Sequence, residues 1–249
     1  MRQNQLLDES AQQDSQVRDY ERSLARSAMS RTRADRPDQF DMRGRTWDLL
    51  DEVFAPIYSP STGIALDFLG WTGTVSAPRT GSMLEIGCGT GMIAVTGALA
   101  GCERVVASDI NPRAVANAAL NAARHQVGDR VEAVHSDLFD GLDPAERFDL
   151  IFWSSNYVLA PEGHRYGSVH DAAYVDPGYA AHRRFLAEAE DRLAPGGSAL
   201  LHFSSRGDLR ALHALAAGTG RELRTLRSAV VQEGEYPVEH LLLEIVPAG

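Results

Sequence analysis

From residue 82 onward, short apolar runs alternate with alanine-rich stretches. The runs Met83–Ile86, Val105–Ser108, Val131–His135, Leu150–Trp153 and Ala199–Phe203 predict buried strands, as do the weaker ones at Ala229–Gln232 and Leu241–Val246. The stretches between them, Met92–Ala100, Pro112–Arg124, Tyr179–Leu193 and Asp208–Gly218, predict helices. Pro112 suits the first turn of a helix and Gly101 the residue after one. Strands alternating with helices predict a mainly parallel sheet covered on both faces. No segment repeats another.

The first 45 or so residues read differently. They are rich in Gln, Ser, Asp and Arg, and Val17, Tyr20, Leu24 and Ala28 fall at helical spacing. One amphipathic helix is expected from about Asp14 to Arg33, either as an arm or lid over an active site or as a solvated helix or tail. A second helix is expected over Trp47–Phe54. Pro56, Pro60 and Gly63 then impose a loop, residues 64–70 a short helix, and the Gly/Thr/Ser/Pro stretch 70–82 a connection. This divides the chain into an N-terminal arm, 1–50, and a main domain, 51–249.

Composition narrows the function. A chain of 249 residues buries enough surface to fold without disulfides or metals, and its two cysteines, Cys88 and Cys102, form no framework. No run approaches 18 apolar residues, and the first fifteen hold no apolar segment like that of a secretory signal, so a cytoplasmic protein free of membranes is expected. All 24 basic residues are arginine. Without lysine there is no Schiff-base chemistry, no lysine base and no P-loop. Residues 1–45 carry a net charge of +1 and the remainder −11. An acidic body repels phosphate backbones, which argues against nucleic-acid partners.

The strongest local signal is Leu84-Glu85-Ile86-Gly87-Cys88-Gly89-Thr90-Gly91, after a predicted strand and before a predicted helix. Gly87 permits the tight turn, Gly89 lets a ligand approach the backbone, and Gly91 lets the helix start against the sheet. Free amides at a helix N-terminus attract polar ligand groups. A dinucleotide fingerprint would need a glycine at position 92, where Met92 stands. Asp109 ends the second strand, where a carboxylate can accept both hydroxyls of a ribose; it could equally cap the helix at Pro112.

The spacing Glu-x-Gly-x-Gly-x-Gly resembles the first motif of the class I S-adenosylmethionine-dependent methyltransferases. Asp109 to Ala122, with its Asp-x-x-x-x-Ala-x-x-x-Ala-x-x-Asn pattern, resembles their second motif, and Ser136-Asp137-Leu138-Phe139 their third. The resemblance implies a Rossmann-like, doubly wound α/β fold, a mostly parallel seven-stranded sheet with an N-terminal helical extension. It implies S-adenosyl-L-methionine as cofactor, held by Glu85, Gly87, Gly89, Gly91, Asp109, Ile110, Asp137, Leu138 and Ser154, with Asp109 on the ribose and Asp137 on the adenine. Phe148 to Val158 is similar to the fourth strand and catalytic loop of the branch that methylates glutamine in release factors, or adenine in DNA. That branch carries Asn-Pro-Pro-Tyr where this chain has Ser154, Ser155, Asn156 and Tyr157. The departure leaves the acceptor open. Leu193-Ala194-Pro195-Gly196-Gly197 resembles the family's turn before the fifth strand.

Substrate contacts are expected from the insertion 157–182, rich in His and Tyr, and from Phe54–Thr62. His202 and Ser204–Ser205 end the fifth strand toward the same crevice. The candidate catalytic residues are Asn156, Tyr157, Ser154 and Tyr174, with His164, His170 or Asp171 as a base if the acceptor must lose a proton. His164, His170 and His182 are spaced too irregularly for a metal site, and none is expected. The reaction expected is in-line methyl transfer to a small molecule or peptide, with a homodimer left open. A second reaction keeps the cofactor: its α-amino nitrogen attacks its own aminobutyryl chain, giving azetidine-2-carboxylate and methylthioadenosine. A third reading is a fold that binds the cofactor without turning it over.

Overall fold

The computed structural model describes residues 19–71 and 81–249. Val17, the expected helix start at Asp14 and most of the 70–82 connection lie outside the described residues. Among the described residues, helix α1 (Tyr20–Thr32) leads into a hairpin of β1 (Gln39–Met42) and β2 (Arg45–Asp48), followed by helix α2 (Ser61–Phe68). Alternation then begins: β3 (Ser82–Ile86), α3 (Met92–Leu99), β4 (Arg104–Asp109), α4 (Pro112–Arg124), β5 (Val131–His135) and β6 (Phe148–Ser154). A short pair, β7 (Val158–Ala160) and β8 (Val175–Pro177), precedes α5 (Ala180–Glu188), β9 (Leu193–Ser204), α6 (Leu209–Gly218), β10 (Arg221–Glu233) and β11 (Tyr236–Pro247).

The seven-stranded sheet runs β10-β11-β9-β6-β3-β4-β5. β5, β4, β3, β6 and β9 pair in parallel, while β11 and β10 add antiparallel strands at one edge. This is the expected doubly wound α/β sheet, with the glycine-turn strand β3 in the interior between β4 and β6. Side chains alternate between its faces. Met83, Leu150, Phe152 and Leu200 pack with α2, α3 and α4 on one face. Leu84, Ile151, Trp153 and Leu201 pack with α5 and α6 on the other. Two-sided burial is why the parallel strands read as continuous apolar runs.

The N-terminal region differs from expectation in two ways. No helix forms over Trp47–Phe54; Arg45–Asp48 is a strand, because Trp47 is drawn into the core beside His125 while its neighbours bind α4. Phe40, Trp47 and Leu49 of the 1–50 segment belong to the same buried cluster as β3 and α3. The inward side of α1 extends beyond the expected Tyr20–Leu24–Ala28 face, of which Tyr20 and Leu24 pack against Val158, Ala160 and Val175. Ser23, Ser27 and Ser30 are its buried residues, and Ala28 is exposed. Ser27 Oγ bonds His170 Nδ1 at 2.8 Å and Asp171 Oδ1 at 2.6 Å, so α1 docks through polar contacts onto the 157–182 insertion.

Two buried asparagines of α4 hold the N-terminal segment in place. Asn121 Oδ1 accepts from Asp48 N–H at 2.8 Å, while its amide donates to the carbonyls of Asp48 (3.0 Å) and Thr90 (2.9 Å). Asn117 accepts from Leu50 N–H and donates to Asp48 O, each at 2.8 Å. Arg124 closes the clamp with a bidentate pair to Asp48, both contacts 2.6 Å. Asn121→Ala orphans the Asp48 N–H and the Thr90 carbonyl and leaves Asp48 O only its bond from Asn117, so it should destabilise the chain by about 2–4 kcal/mol. Urea unfolding checks this; an unchanged midpoint would mean that water replaces all three partners.

Candidate active site

Strand order reverses at β3, and the carboxyl ends of β3, β4 and β6 open into a cavity of about 650 Å³. That is where doubly wound sheets bind ligands, and the size suits a small-molecule site. Gly87, Gly89, Asp109, Ile110 and Asn156 are among its walls.

The glycine turn forms one side. Gly87 and Gly89 adopt φ of +66° and +53°, and a Cβ added at Gly89 would meet no protein atom within 4 Å, so the backbone lies open to the cavity. Gly91 is different. It lies outside the cavity wall, and its Cβ would stand 2.6 Å from Ala118 Cα, so glycine serves there to let α3 pack on α4. Glu85 accepts from Ala94 N–H at 2.7 Å in the first turn of α3. Burial pushes its carboxyl well above the usual range, and Asp109 nearby adds to that. Asp109 Oδ2 accepts from Gly89 N–H at 2.9 Å and Oδ1 from Asn111 N–H at 2.8 Å. Burial raises its pKa too, against the pull of those two amides. The two carboxylate oxygens offer about four lone pairs, so Asp109 keeps acceptor capacity for a ligand beside its bonds to the Gly89, Asn111 and Ile110 amides.

Further along, Ile110 is 42% exposed, an apolar side chain left uncovered on the cavity wall. Leu138, at φ +51°, and Asp137 continue that wall after β5. Asp137 is half exposed and paired with Arg184 at 3.1 Å.

The loop after β6 forms the opposite side. Asn156 Nδ2 donates to Ala172 O at 2.8 Å and to Val175 O at 2.9 Å. Two carbonyls on one side fix the amide orientation, because only its NH₂ can face them. Asn156 lines the cavity, and its Oδ1 is buried without a hydrogen-bond partner among the described residues. Ser154 Oγ lies 3.0 Å from His202 Nδ1. Tyr157 lines the cavity but packs its ring edge-on against His202, Phe203 and His240, and its hydroxyl interacts with Ser204. Burial pushes that hydroxyl up to about 12, so it is no base at neutral pH. Tyr174 packs at a tilt against Phe54, ring centroids 5.4 Å apart, and burial raises its hydroxyl as well.

The remaining predicted residues divide clearly. Asp171 is occupied in a capping box with Ser168 and by Ser27. His164, His170 and His182 do not meet. Their rings contact Tyr20 and Tyr166, Tyr174, and Trp153 respectively, and no group of metal-ligating side chains forms among the described residues. Sequence reasoning missed Arg26 and Ser30, which α1 places in the wall, and Trp153, packed under Gly87. Their only signals were a serine every third or fourth residue in α1 and one tryptophan ending an apolar run.

Residues 83–197 match the family model described as "Methyltransferase domain". Over 167 residues the chain is 32% identical to the release factor glutamine methyltransferase of Bordetella pertussis, covering 64% of this chain and 59% of that protein. It is 28% identical over 166 residues to the ribosomal protein uL3 glutamine methyltransferase of Francisella tularensis, covering 62% of this chain and 50% of that one. The chain thus spans only half to three-fifths of the length of these relatives. The N-methyltransferase NodS of Bradyrhizobium japonicum, solved with S-adenosyl-L-homocysteine, superposes with a TM-score of 0.54 at 16% identity, covering 89% of this chain and 97% of that one.

Burial holds two histidines of this region neutral. His170 is pushed down to about 4 and His202 to about 3, mainly by desolvation. Folded values below the unfolded one of about 6.5 mean stability fully present above pH 6.5 and lost as pH falls. Going from pH 7 to 5 should cost about 2 kcal/mol for each ring. His170→Gln should lose that much less over the same interval in urea titrations. An identical pH dependence in the variant would show that the His170 ring titrates in the fold as it does in the unfolded chain.

Proposed function

Because the chain belongs to the class I, Rossmann-like S-adenosylmethionine-dependent methyltransferases, we propose that it methylates the nitrogen of a planar amide on a small molecule or peptide. The residues fit the cofactor. The open backbone at Gly89 accommodates a ligand against the turn, and Asp109 keeps lone pairs for a ribose diol. The uncovered face of Ile110 suits a purine ring. Bound S-adenosylmethionine supplies an electrophilic methyl group, so the protein need only hold a nucleophile in line with it.

The single observation that carries the acceptor class is Asn156 Oδ1. A buried acceptor with no partner costs on the order of 1–3 kcal/mol, and a ligand N–H removes that cost. An amide NH₂ donates to Oδ1 and in doing so turns its nitrogen toward the methyl group. The related glutamine methyltransferases carry asparagine at the position of Ser154. Here the amide sits two residues later, and the carbonyls of Ala172 and Val175 orient it. The glutamine names of the relatives support the same acceptor chemistry.

Incubation with methyl-labelled cofactor and a capped glutamine should yield N-methylated amide. Methylthioadenosine formed without any acceptor would instead identify the cyclisation reaction. Asp109→Ala should weaken cofactor binding roughly 10- to 100-fold, the equivalent of one or two charge-assisted hydrogen bonds. Asn156→Ala should leave cofactor affinity near wild type and lower kcat on the order of 100-fold. Calorimetry and turnover measured on the same preparations separate the two; equal losses in both variants would reject this division of roles.

A further inference from the structure

Beneath the cavity runs a chain of polar side chains that ligand placement leaves unused. Strand register creates it. Ser154 on β6 is the Cα partner of His202 on β9, and His202 lies diagonal to His240 on β11, whose own partner is Ser204. Diagonal neighbours on one sheet face lie within reach of long side chains. Ser154 Oγ is 3.0 Å from His202 Nδ1, His202 Nε2 is 3.0 Å from His240 Nδ1, and His240 Nε2 is 2.8 Å from Glu233 Oε1. Both imidazoles are completely buried, covered by the edge of Phe68 from α2 and by the ring of Tyr157. Glu233 ends the chain in an ion pair with Arg206, at 2.8 Å and 2.7 Å, with Arg26 of α1 3.9 Å away.

The chain has a direction. An ionised carboxylate can only accept hydrogen bonds, and a neutral imidazole carries one donor and one acceptor. Burial alone would raise the Glu233 carboxyl, but His240 and Arg206 hold it below the usual carboxylate range. Glu233 therefore takes the proton of His240 Nε2–H. His240 Nδ1 then accepts from His202 Nε2–H, and His202 Nδ1 accepts from the Ser154 hydroxyl. Every proton points toward Glu233, and the lone pairs of Ser154 are left for the cavity.

We propose that Ser154, His202, His240 and Glu233 form a proton relay that accepts the proton released by the nitrogen being methylated. This rests on the methyl-transfer reading above. The acceptor nitrogen forms its bond to the methyl carbon, and the electron pair of the broken carbon–sulfur bond stays on sulfur. The surplus proton of the nitrogen goes to Ser154 Oγ as the Ser154 proton moves to His202 Nδ1 and the His202 Nε2 proton to His240 Nδ1. The charge rests on His240 beside the Glu233 carboxylate. Ser154 touches the substrate; His202, His240 and Glu233 act through it as positioning residues.

Two measurements on the full chain test this. In protein labelled with ¹⁵N-histidine, long-range ¹H–¹⁵N spectra should show His202 and His240 each carrying a proton on Nε2, with His202 Nδ1 unprotonated. In turnover with capped glutamine at saturating cofactor, Ser154→Ala should lower kcat on the order of 100-fold. Glu233→Gln keeps an acceptor for His240 but removes the charge, and should lower kcat at least 10-fold without changing KM. A His202 proton on Nδ1, or wild-type kcat in both variants, overturns the relay alone. Absence of any methylated product from the wild type overturns the methyl-transfer reading, and with it the catalytic role of the relay.

Discussion

The structure depends on parallel pairing of β3 with β4 on one side and β6 on the other. The chain leaves β3 in opposite directions to reach these neighbours, so nothing fills the space above its carboxyl end. The glycine turn, the Asp109 carboxylate and the Asn156 amide are all strand-end features, and they meet only because these three strands are adjacent. Apolar side chains alternating between two buried faces hold that pairing. The site itself is then free to be polar.

That freedom carries a cost, which is met locally. Glu85 and Asp109 sit where burial disfavours their charge. Each is answered by backbone amides, Ala94 for the first and Gly89 and Asn111 for the second. Around Glu233 the answer is His240 and Arg206. Asn156 Oδ1 is not answered in this way: it is one of several buried polar atoms without a partner among the described residues, and its amide borders the glycine-turn cavity.

Much of this was legible in the sequence, for reasons that differ by element. Helix Pro112–Arg124 and strand Val131–His135 matched their sequence patterns residue for residue, because proline and a compact apolar run mark their limits. The glycine turn was legible because its spacing and its strand–helix setting are both local. The hairpin at Gln39–Asp48 was not, since its stability comes from Asn117, Asn121 and Arg124, some 70 residues away. For the same reason the burial of Ser23, Ser27 and Ser30 on α1, beside the partly buried Tyr20 and Leu24, was not legible. His240 and Glu233 could not be joined to Ser154 from sequence, because strand register alone brings them together.

The central claim is that one cavity holds cofactor between the glycine turn and Asn156, with the acceptor nitrogen bonded to Asn156. A crystal structure with S-adenosyl-L-homocysteine and a capped glutamine tests it most directly. The account predicts the ribose on Asp109, the thioether sulfur facing the loop after β6, and the glutamine NH₂ within hydrogen-bond distance of Asn156 Oδ1. A ligand bound elsewhere, or an Asn156 carbonyl oxygen still without a partner in that complex, would contradict it.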